Sequence, residues 1–68
     1  MCLSTIYAVG KSAPLCKNIA AARRREDGAW QFTDIMGVST VVRGELERVD
    51  LMENLIYIRA ESSDETHA

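Results

Sequence analysis

Turn signals recur so often along this chain that most of it has room only for short strands. Its four glycines, Gly10, Gly28, Gly37 and Gly44, each fall between short runs rich in apolar or β-branched residues, and glycine with small polar neighbours is the strongest local punctuation a sequence carries. Gly10-Lys11-Ser12-Ala13-Pro14 is a polar turn, Asp27-Gly28 is a strong hairpin pair, and Met36-Gly37 is a bend. Residues 3–9, 29–35, 38–42, 45–50 and 55–59 are the runs between such breaks, and their Val, Ile, Thr, Tyr and Trp content suits a pleated surface.

Two stretches resist that simple reading. Residues 15–25 contain alanines and arginines that favour a helix, with Leu15, Ile19 and Ala22 near helical spacing. The hairpin pair that follows argues for a short turn near Asn18 and then a strand over residues 20–25. In the run after Gly44, Leu46 and Val49 are three apart, which a flat strand cannot aim at one core. A bulge near Glu47-Arg48 restores the alternation and bends the strand, as a small barrel requires. The expected fold is all-β: one small barrel of about six short strands, SH3-like or similar, over residues 1–60. Residues 61–68, Glu-Ser-Ser-Asp-Glu-Thr-His-Ala, hold no bulky apolar residue and read as a disordered tail.

A single domain of 68 residues buries only about 60% of the surface its unfolded chain exposes, so such domains usually need a disulfide, a metal or a partner copy. Cys2 and Cys16 allow one internal bridge at most. The sequence begins with no basic region followed by an apolar run, and no stretch approaches the ~20 apolar residues of a membrane span. The chain therefore reads as cytoplasmic, where thiols stay reduced. Net charge is −2, but Glu61, Asp64 and Glu65 supply the excess, and residues 1–60 carry 8 basic and 7 acidic groups. That near-neutral balance, with one Trp, one Phe and two Tyr, argues against a broad nucleic-acid platform.

Chemistry concentrates at the start. Cys2 follows Met1 directly, and methionine aminopeptidase usually removes a methionine that precedes so small a residue. Trimming would place a thiolate, an amine and the Leu3 amide within one residue of each other. Nitrogen-rich tetragonal sites suit Ni(II) or Cu(II), and the thiolate adds a soft donor. One cysteine cannot fill four positions, and a small apolar residue at a strand start is the alternative reading of Cys2. Cys16 fits the core or its edge; beside Cys2 it would turn a site toward zinc or copper(I). His67 lies in the tail without an acid–base partner, and no triad, phosphate loop or Cys-x-x-Cys pair is present. No catalytic machinery is evident, so an enzyme is not expected. Arg23-Arg24-Arg25 is the one charge run. It could bind RNA phosphates, with an affinity that depends on salt and ignores Cys2. On a strand, however, Arg23 and Arg25 would share a face while Arg24 takes the other, and Glu26 and Asp27 would partly neutralise them.

Met1-Cys2, Thr33-Asp34-Ile35-Met36-Gly37, Val42-Arg43-Gly44-Glu45-Leu46 and Val49-Asp50-Leu51-Met52-Glu53-Asn54, followed by a last hydrophobic strand, together resemble the CooT family of small nickel-binding proteins. Some members of that family are labelled only as predicted RNA-binding proteins. The resemblance spans residues 1–60 and implies a small β-barrel that forms a homodimer. It also implies a Ni(II) site at the dimer interface, built from Cys2 of both chains with backbone nitrogen of Cys2 or Leu3. The implied role is nickel storage, sensing or delivery as a metallochaperone, with carbon monoxide dehydrogenase a possible recipient enzyme. Cys16 has no part in the implied site.

Overall fold

A computed structural model describes residues 3–60, and these form six strands with no helix. The strands are β1 (Ser4–Ala8), β2 (Pro14–Arg24), β3 (Trp30–Asp34), β4 (Ser39–Val42), β5 (Gly44–Asp50) and β6 (Leu55–Ala60). All lie in one sheet, in the order β4-β3-β2-β1-β6-β5. Every pairing is antiparallel except that of the first strand with the last, β1 with β6, which is parallel.

The sheet has two edges, yet the chain joins them through one residue. A flat six-stranded sheet would hold β4 and β5 about 24 Å apart, five spacings of ~4.8 Å. Val42 ends β4 and Gly44 starts β5, and two residues span at most ~7 Å. The sheet must therefore roll until its edges meet at that end, which is the small barrel-like form expected from the sequence, left open along the seam between β4 and β5. Gly44 sits at the meeting point, with Ala60 opposite it.

Rolling is possible because β2 serves two partners. Its first half pairs with β1, Ile6 opposite Cys16 and Ser4 opposite Ile19, and its second half pairs with β3, from Ile19 opposite Asp34 to Arg24 opposite Trp30. Between them Asn18 has φ of +57°, a left-handed conformation that asparagine tolerates better than most residues. The expected turn near Asn18 is thus a bend inside one eleven-residue strand, because ladder pairing holds both sides in extended form. No helix forms here, since the β1 and β3 edges satisfy backbone groups that a helix would have paired internally.

Ile6, Ile19, Phe32 and Ile58 form the core, one from each of the four central strands. Ile6, Phe32 and Ile58 are fully shielded from solvent. Cys16, Trp30, Val42 and Ile56 pack round them. Tyr7, on the opposite face from Ile6, stacks on Tyr57 with ring centroids 5.8 Å apart, and the Arg48 guanidinium lies 5.4 Å from the Tyr57 ring centre. On β5 the register shifts between Leu46 and Arg48, so Leu46 pairs with Ile58 and Val49 with Ile56, although both β5 side chains stay exposed. The bulge inferred from the three-residue spacing lies there, and Glu47 pairs with Arg59 in the adjacent strand.

The close approach of β6 to Gly44 gives a direct test. A Cβ on Gly44 would overlap the Arg59 carbonyl oxygen and lie 2.9 Å from the Ala60 Cα. Backbone atoms cannot yield as a flexible side chain would. Gly44→Ala should cost about 1–3 kcal/mol, the usual penalty of overpacking, and lower the melting temperature by roughly 4–8 °C per kcal/mol in a domain of this size. A thermal melt indistinguishable from that of the parent chain would show that β5 does not lie this close to β6 at Gly44.

Candidate metal centre at the start of the first strand

Cys2 lies outside the described residues, and so does His67. The surroundings into which residue 2 leads are described from Leu3 onward. Leu3 is half-buried and lies just before the strand ladder. Ser4 pairs with Ile19 on one side, and on the other the Thr5 N–H donates to the Asn54 carbonyl at 3.0 Å. The first strand is thus held from both flanks within two residues of Leu3.

The flank at Asn54 is itself braced. Asp50 Oδ1 accepts the N–H groups of Met52 and Glu53 at 3.1 and 3.0 Å, closing the turn between β5 and β6. Asn54 then takes φ of +58° to start β6. An aspartate bonding backbone two and three residues on is the usual chemistry of such turns. At its tip Leu51 and Met52 are 82% and 89% exposed. Two large apolar side chains therefore stand in solvent at the same end of the sheet as the start of β1.

No three His, Cys, Asp or Glu side chains converge on a common point among the described residues. Cys16 is the one free cysteine among them, half-buried against the core as expected. Burial pushes its thiol pKa above the ordinary value, and the negative charge of Asp34 pushes the same way. It therefore stays protonated at neutral pH, which disfavours it as a metal ligand or nucleophile. Asp34 is committed elsewhere: its Oδ1 accepts the Met36 N–H at 2.9 Å and the Val38 N–H at 3.0 Å, fixing the β3–β4 turn.

The arginine run divides as alternation requires. Arg23 and Arg25 line one shallow depression with Gln31, while Arg24 lines a different cleft with Trp30 and Leu46. Asp27 lies within 3.5 Å of Arg25 and 3.4 Å of Arg43. Arg43, the residue between β4 and β5, is the cation that sequence inspection missed, because it is sixteen residues from Asp27 and only the fold joins them. The site residues proposed for RNA thus face two ways, and Arg25 shares its charge with a carboxylate.

Asp27 also carries a pH signature. Its carboxyl pKa is lowered chiefly by the Ala29 N–H that donates to Oδ1 at 3.0 Å. Some loss of hydration opposes that effect, and Arg25 and Arg43 reinforce it. Because the folded value lies below the unfolded one near ~3.9, the stabilisation is present above about pH 4 and is lost as pH falls through the folded value. Asp27→Asn should therefore flatten the acid limb of a stability–pH curve below about pH 4 while leaving its slope at pH 6–8 alone. An unchanged acid limb would rule the linkage out. For Cys16, iodoacetamide at pH 7.5 should label the folded Cys2→Ser chain at least about tenfold more slowly than the same chain in urea; equal rates would mean an open, ionised thiol.

No helix among the described residues is long and apolar enough to cross a membrane. The family model described as CO dehydrogenase accessory protein CooT matches residues 1–59. No curated protein and no solved structure gives a significant match.

Proposed function

The chain belongs to the CooT family of CO dehydrogenase accessory proteins, and we propose that within it the chain binds Ni(II) at a site shared by two copies, for storage, sensing or delivery to a nickel enzyme. The family is one of accessory proteins rather than enzymes. Cys2 thiolate is the proposed side-chain ligand in each copy, with backbone nitrogen of Cys2 or Leu3 completing the donor set. A sulfur and a nitrogen from each of two chains fill four positions, the count a tetragonal Ni(II) ion prefers.

The observation that carries this reading is where the family match begins. It starts at residue 1 and so takes in Met1-Cys2, the one place in the sequence where a thiol and a chain amine can chelate together. Three features support it. The described residues hold no cluster of metal-ligating side chains that would compete. The strand that follows Leu3 is pinned on both sides from its first two residues, a rigid element on which to build a site. Leu51 and Met52 expose apolar surface at that same end, and a second copy seated there would cover them. Covering them would also offset the small core of a domain this short.

RNA binding through Arg23, Arg24 and Arg25 remains the other class. The division of the run between two faces weighs against it, as does Asp27 between Arg25 and Arg43.

Reduced protein, shown by mass to lack Met1, should develop a thiolate-to-nickel charge-transfer band on titration with Ni(II). Native mass spectrometry should find one metal per two chains. Cys2→Ser should weaken nickel binding by more than about 100-fold, beyond the ~10–100-fold that loss of an outer-shell partner costs. Cys16→Ser should leave the titration unchanged. Unaltered nickel affinity in Cys2→Ser would eliminate this site.

A further inference from the structure

The last cross-strand row of the β2–β3–β4 ladder joins Arg24, Trp30 and Val42. Directly paired residues share one face of a sheet, and Trp30 and Val42 pack against the core. Arg24 is thus the charged member of a row on the core face. Beside it opens a cleft of about 330 Å³, lined by Arg24, Gly28, Trp30, Gly44, Glu45 and Leu46. That volume is at the small end of the ~300–1,000 Å³ of ligand pockets. Gly28 and Gly44 bring no side chains into it. The Trp30 ring is braced by Phe32, nearly parallel at 10° with centroids 6.4 Å apart, and it stays only half-buried.

Two opposite charges share this cleft without meeting. Arg24 sits on β2 and Glu45 on β5. Neither has an ion-pair partner among the described residues, and they do not pair with each other. An occupant that satisfies both must carry an anion for Arg24 and a cation for Glu45. It must also present a flat apolar group to Trp30 and Leu46. A phosphate-rich ligand would be repelled by Glu45, and a simple amine by Arg24. We propose that this cleft binds a free aromatic α-amino acid, with its carboxylate on Arg24, its ammonium on Glu45 and its ring against Trp30. The two polar contacts are charge-assisted hydrogen bonds, and the ring contact is an aromatic pair.

The proposed nickel site has no part in this inference. Trp30 is the only tryptophan in the chain, so its indole N–H gives a single nuclear magnetic resonance signal. Titrating the full-length chain with L-phenylalanine should shift that signal and the Gly28 and Gly44 amides saturably. A Kd on the order of 1 mM is expected for so small a ligand. Phenethylamine and hydrocinnamate keep the ring but only one charge each, and both should bind at least about tenfold more weakly. Arg24→Gln and Glu45→Gln should each weaken L-phenylalanine binding by a similar factor, with far-UV circular dichroism checking that the sheet is intact. Absence of saturable shifts at these three positions would overturn the proposal. Equal affinity for all three compounds would overturn it too, because the ring alone would then account for binding. Parent-like affinity in both variants would remove Arg24 and Glu45 as the recognising groups.

Discussion

Everything in this fold depends on one strand doing two jobs. β2 is eleven residues long because its first half completes a ladder with β1 and its second half starts another with β3. An undistorted strand could not do this and also roll the sheet. The left-handed Asn18 and the register shifts beside it redirect the chain between the two halves, so that Ile19 and Phe32 meet Ile6 and Ile58 in one core. A larger residue at position 18 would have to adopt φ near +57° at a cost of about 1–2 kcal/mol, a sizeable share of the roughly 3–10 kcal/mol that a domain this short commands.

That geometry also sorts the chemistry. The two thiols of the sequence are fourteen positions apart, but the fold treats them differently. Cys16 is drawn onto the edge of the core, where burial and Asp34 keep it protonated. Cys2 precedes in sequence a strand that is fixed on both sides and that starts at the same end of the sheet as a turn with exposed apolar side chains. The cations collect where the β2–β3 hairpin meets β5. A near-neutral body thus has distinct ends although its composition looks even.

Strand number, the β5 bulge and the split of the arginine run were legible in the sequence because each follows from local rules: turn residues, period-two alternation and the spacing of Leu46 and Val49. The length of β2 was not. Alanine and arginine propensities pointed to a helix and the hairpin pair to a shorter strand, and neither carries information about the β1 partner that extends it. Arg43 escaped notice for a related reason, since its place beside Asp27 exists only once two hairpins are stacked in register. Cys2 stood out because proximity to the chain's own amine is visible in one dimension. The cleft at Trp30 was invisible, being made by residues from three separate strands and a turn.

The parallel pairing of β1 with β6 has a consequence for the order of events during synthesis. Residues 5–8 find their partners in residues 55–58, so one side of the first strand stays unpaired until nearly the whole domain has been made. At ~5–20 residues per second that interval lasts some seconds. The β1–β2 hairpin can form meanwhile, but the Asn54 carbonyl that fixes Thr5 arrives only at the end. One side of β1 therefore stays open while the ribosome is still at work, and β6 closes it only afterwards. The core is complete only then, since Ile58 comes from that last strand.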